Sequence, residues 1–111
     1  MAQSYLIFDF AANEEAAQQA RHKLEGWRQA FRLDRKLTYR FERRAPEKTN
    51  GGELIRVIVR LDFSDHERLS HHRWLERLPA EEPFKSASPQ TIHRGDEAFA
   101  ATAELFDSLP A

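Results

Sequence analysis

The order in which hydrophobic periodicities succeed one another constrains this chain more than any motif it carries. A short apolar stretch, Tyr5 to Phe10, precedes a run with helical spacing; two alternating stretches follow, then a capped helical run and a weaker extended stretch. Strand, helix, strand, strand, helix, strand is the order of a split β-α-β sandwich, an antiparallel sheet covered by helices on one face. Many unrelated functions share that order, so it makes the fold legible and leaves the function open.

The first helix follows from Asn13, a good N-cap, and from Ala17, Ala20, Leu24, Trp27 and Phe31, which recur at alternating spacings of three and four and form one apolar stripe. Leu37 to Arg44 and Glu53 to Phe63 alternate with period two, and the turn-forming residues from Ala45 to Gly52 join them as an antiparallel hairpin. Leu37, Tyr39, Phe41, Ile55, Val57, Val59, Leu61 and Phe63 make its apolar face, and the helices are expected to cover it. Setting Phe41 opposite Val57 also sets Glu42 opposite Arg56, so apolar packing and charge pairing select one register.

Ser64-Asp65-His66-Glu67 is a capping box that opens a second helix, which Pro79 should end. Its buried stripe is expected to hold His71, Trp74, Leu75 and Leu78. From Ala80 to Gly95 the pattern is poor; Pro83 and Pro89 confine any strand there to an edge, or to a short piece around Phe84 to Ile92. Asp96 is placed to cap a last helix with the stripe Phe99, Thr102, Ala103, Leu105, Phe106 and Leu109. The expected fold is therefore a single α+β domain over residues 1–111, a ferredoxin-like sandwich with an additional C-terminal helix.

At 111 residues there is room for one ordinary domain. With no cysteine, disulfides, thiol nucleophiles and thiolate metal sites are excluded. No signal-peptide pattern and no membrane-length apolar run is present, which leads to the expectation of a soluble, cytoplasmic protein without a membrane partner. The net charge of −1 hides a local imbalance: Arg21 to Arg44 holds nine basic residues against three acidic ones. Such a segment can meet an anionic partner, nucleic acid included, or can simply be a solvated face beside a helix whose Arg28 and Arg32 suit its C-terminal dipole.

Histidine is the natural catalytic residue to look for. His66, His71 and His72 share one expected helix, but spacings of five and six do not align imidazoles for a metal, so no metal site is expected. The pair His71-His72, followed by His93 and Asp107, resembles the site of the pterin-4a-carbinolamine dehydratases, which is built from an adjacent histidine pair, a later histidine and an acidic residue. That resemblance implies a small enzyme using His71, His72 and His93; spacing alone gives three separate surface histidines. Asp9, ending the first strand, is similar in position to the aspartate of the small ferredoxin-like nucleases associated with CRISPR arrays. A lone carboxylate holds a divalent ion poorly, and Asp9 also reads as a junction residue.

RNA-recognition modules share this element order and stack bases on aromatic residues of the uncovered sheet face. Here Tyr39, Phe41 and Phe63 fall on the covered face, and the open face offers Arg40, Arg56 and Arg60 as ligand-binding candidates. Base stacking is therefore disfavoured. The reading that results is a binding or regulatory module without catalytic chemistry or cofactor, its small-molecule or protein ligand unidentified. The stripe of the last helix and Ile58 on the other sheet face need cover, either from that helix folding back or from a second copy; a homodimer is expected.

Overall fold

The computed structural model describes residues 2–44 and 54–110. Its elements are β1 (Ala2–Ala11), α1 (Glu14–Ala30), β2 (Leu37–Arg44), β3 (Leu54–Phe63), α2 (Arg68–Arg77), β4 (Gln90–His93) and α3 (Phe99–Ser108). The strands pair antiparallel in the order β2-β3-β1-β4. This is the ferredoxin-like split β-α-β sandwich with an added C-terminal helix. The turn expected between β2 and β3 lies outside the described residues.

The hairpin has the register that its side chains demand. Phe41 faces Val57 and Glu42 faces Arg56, and the Arg56 Nε–H donates to Glu42 Oε1 at 2.8 Å. Odd residues of β2 and β3 and even residues of β1 join Ala17, Ala20, Leu24, Trp27, Trp74 and Leu78 in one core beneath α1 and α2. Asn13 caps α1, its side chain accepting from the Ala16 N–H at 3.0 Å. Phe31 departs from the expected stripe: it follows the last turn of α1 and is 51 % exposed, with its ring edge-on to Trp74 at 5.3 Å and the Arg77 guanidinium against it.

Before α2 the Glu67 carboxylate accepts from the Ser64 N–H and also pairs with Lys36, which ties the start of the helix to the loop before β2. These bonds hold the Glu67 carboxyl below its usual range, the Lys36 bond most strongly. In the poorly patterned segment, β4 is only four residues long. Phe84, expected within a strand, is instead a fully buried anchor in an irregular stretch, 4.8 Å from Phe8 and stacked on Trp27 at 5.9 Å. Asp96 does not cap α3. Its carboxylate accepts from the His93 N–H at 2.7 Å and so closes the turn after β4, while Ala98 stands at the helix start.

The main correction concerns the second sheet face. It is not open, because α3 lies across it and buries Tyr5, Ile7, Ile58, Ile92 and Phe106 in a second core. The Phe106 ring is fully buried, 5.7 Å from Tyr5 and flanked by the guanidiniums of Arg40 and Arg60 at 4.7 and 4.6 Å. Of the apolar groups that motivated a second copy, Ile58 and Phe106 are thus buried within one chain, and Phe99, Leu105 and Leu109 pack against them partly buried. No helix among the described residues is long and apolar enough to cross a membrane.

Candidate functional site

A concavity of about 570 Å³ runs along the outer edge of β2. One wall is α1, where Arg21, Glu25 and Arg28 recur at spacings of four and three and so share one face beside the buried stripe. The floor is β2 itself, with Tyr39, Phe41 and Arg43 on the α1 side and Thr38 and Arg40 on the α3 side. Leu109 and Pro110, just after α3, form the far wall. Four of the nine basic residues of the Arg21 to Arg44 segment meet here, because side chains of α1 reach those of β2.

Four guanidiniums line this groove against one carboxylate, and that carboxylate is already engaged. Glu25 Oε1 accepts from the Tyr39 hydroxyl at 2.6 Å and faces Arg28 Nη1 at 3.4 Å. Burial, reinforced by the bond to Glu25, pushes the Tyr39 phenol up to about 12. The Arg28 Nε–H also donates to the Asp34 carbonyl at 3.0 Å, and Arg43 reaches Glu14 at 3.0 Å. Arg21 lies 4.8 Å from the Phe41 ring centroid, and no carboxylate among the described residues pairs with it. On the α3 side, Thr38 Oγ1 and Arg40 Nε are buried without a hydrogen-bond partner among the described residues. Arg60 Nε, across the register from Thr38, and Asp62 Oδ1 are in the same state, so all four such atoms sit on one patch of β2 and β3.

A second polar cluster lies on the other side of the fold. His71 Nε2 on α2 is 2.8 Å from Ser4 Oγ on β1, 67 residues away in sequence. Ser4 pairs with His93 across the β1–β4 ladder, so both side chains lie on the α2 side of the sheet. Burial, then the charges of His93 and His72, lower the His71 pKa from its ordinary value. Ser4 is 1 % exposed, so its hydroxyl has no room for a substrate. The structure brings His71 and His93 to the same side of the sheet but sends His72 outward, where its Nε2 lies 2.7 Å from Glu76. Asp107, the fourth residue of the dehydratase resemblance, is on α3 across the sheet, 3.8 Å from Arg60. No group of three metal-binding side chains occurs among the described residues.

Comparison with protein-family models and with curated proteins finds no match.

The remaining sequence candidates fall into structural places. Arg56 is held by Glu42, and Arg40 and Arg60 are half-buried against Phe106. Of the three, Arg40 reaches the groove. Asp9 accepts from the Ala11 N–H at 2.8 Å and braces the left-handed residue (φ 52°) that turns β1 toward α1. Residue patterns alone miss Tyr39 and Glu25 as a pair. The signal was the Arg21, Glu25, Arg28 spacing beside the stripe, together with a tyrosine whose face carries Phe41 and Arg43.

Proposed function

We propose that this protein is a non-catalytic binding module that takes an anionic ligand in the groove beside β2. One observation carries the reading: four guanidiniums converge on a concavity whose single carboxylate is already taken up by Tyr39 and Arg28. The volume is that of an ordinary ligand site. No carboxylate among the described residues pairs with Arg21, and planar guanidiniums are well suited to bind carboxylate or phosphate oxygens through paired hydrogen bonds. The burial of Ser4 and the outward turn of His72 support binding over catalysis at the histidines. Nucleic acid fits less well, because α3 lies on the sheet face that RNA-recognition modules use for stacking.

The test is calorimetric titration with inorganic tripolyphosphate at low and at physiological salt. Arg21→Ala should weaken binding by about tenfold, the value of one charge-assisted contact, while His71→Gln should leave it unchanged. A response that is lost with His71→Gln and kept with Arg21→Ala would move the site to the Ser4–His71 cluster.

A further inference from the structure

We infer that the occupant of the groove is an acidic polypeptide segment that binds extended along β2 and adds a fifth strand to the sheet. This rests on the groove being an anion site, and it is carried by the backbone of β2. β2 is an edge strand. The Asp62 N–H donates to the Lys36 carbonyl at 2.8 Å, which makes Lys36 and Asp62 a hydrogen-bonded pair of the antiparallel ladder. Period-two alternation then gives Thr38, Arg40 and Glu42 to β3 and turns the backbone N–H and C=O groups of Tyr39, Phe41 and Arg43 toward the outer edge, where Arg40 Nη1 donates to the Tyr39 carbonyl at 3.3 Å and would share or yield that acceptor to an added strand.

The groove lies on that edge and takes in side chains from both faces of β2. A ligand that reads only one face would not need this shape; an added strand, whose side chains alternate between faces, does. On the α1 side its alternate residues would meet Arg21, Arg28 and Arg43, which calls for carboxylates there, and on the other side Arg40 and Leu109. Charge also decides between occupants. A second copy pairing through the same edge would bring three arginines and one glutamate, Arg40, Arg43 and Arg44 with Glu42, to a groove already lined by four guanidiniums, a poorer charge match than an acidic strand. Charged residues on an edge normally keep stray strands away; arginines in this position discriminate, admitting acidic strands and repelling basic ones. The opposite edge, β4, has four residues and follows Pro89, so it is the poorer template.

The experiment follows amide hydrogen exchange by NMR in the whole protein. The probes are a capped peptide of about eight alternating Glu and Val residues, a strand's usual length, its fully N-methylated counterpart, tripolyphosphate, and a single-stranded oligonucleotide of equal charge. The peptide should slow exchange at Tyr39, Phe41 and Arg43 by about tenfold or more, with Arg40 and Glu42 unaffected because β3 already protects them. The N-methylated peptide, with the same charges and no amide N–H, should bind at least about tenfold more weakly. Equal binding of the two peptides, or unprotected odd-numbered amides, overturns strand addition even if tripolyphosphate still binds and the anion site stands. If no probe binds, both readings fail. An oligonucleotide that binds more tightly than the peptide without protecting those amides replaces the acidic segment with nucleic acid.

Discussion

At His71, the Ser4 hydroxyl and the Phe63 ring, 5.7 Å away, stand where water would otherwise be. Burial, followed by His93 and His72, lowers the imidazole below its ordinary value of 6.5. The unfolded chain therefore takes up this proton first as pH falls. The contribution to stability is intact above 6.5 and is lost as pH drops from there through the folded-state value. The urea midpoint should accordingly fall between about pH 7.5 and pH 5, and His71→Gln should flatten that fall; an unchanged slope would assign the effect to another group. Tyr39 offers the opposite case. Its phenol stands at about 12 through burial and the bond to Glu25. Glu25→Gln should bring the tyrosinate absorbance transition down. The same change removes the one carboxylate that lines the groove among the described residues, so it should tighten tripolyphosphate binding by a few-fold, about 0.5–1 kcal/mol.

Among the elements, the hairpin and α3 carry different kinds of information. Val57, fully buried between β1 and β2, cannot accept a charge, so Val57→Asp should leave the chain unfolded by circular dichroism. Phe84→Ala should cost about 3–5 kcal/mol in a denaturant titration, since the ring fills the space between Phe8 and Trp27. Phe106→Glu should lower the unfolding midpoint at every protein concentration, because its ring is buried within one chain. The hairpin register was legible in the residues because Phe41 with Val57 and Glu42 with Arg56 demand the same alignment. The position of α3 was not, because a helical stripe says that one face is buried and not which surface receives it. Arg40 and Arg60 deepened the ambiguity: they read as solvent-facing in the alternation, yet their guanidiniums cover Phe106. Phe84 sits in a stretch without a period, so nothing marked it as core. The basic segment announced charge, but the groove exists because β2 is at an edge, and hydrophobic periodicity does not encode strand order.

Across the whole molecule, charge is segregated: the segment from Arg21 to Arg44 holds nine basic residues against three acidic ones, while the remainder of the chain is acidic enough to bring the net to −1. Attraction of an anion to the groove should therefore weaken steeply with added salt, as the screening length shrinks from about 30 Å at 0.01 M to about 8 Å at 0.15 M. The two-sided cover of the sheet has another consequence, for how the chain is made. In β1 every side chain from Ser4 to Phe8 is buried, because α1 and α2 take one face and α3 the other. Its hydrogen-bonding partners, β3 and β4, begin at Leu54 and Gln90. On the ribosome, Tyr-Leu-Ile-Phe thus emerges long before the strands that pair with it, with α1 the first element able to cover one of its faces and Asp9 the charge that flanks it. Slower synthesis of the stretch up to β3 should therefore lower the yield of native protein, which expression at reduced translation speed with a count of soluble chain would check.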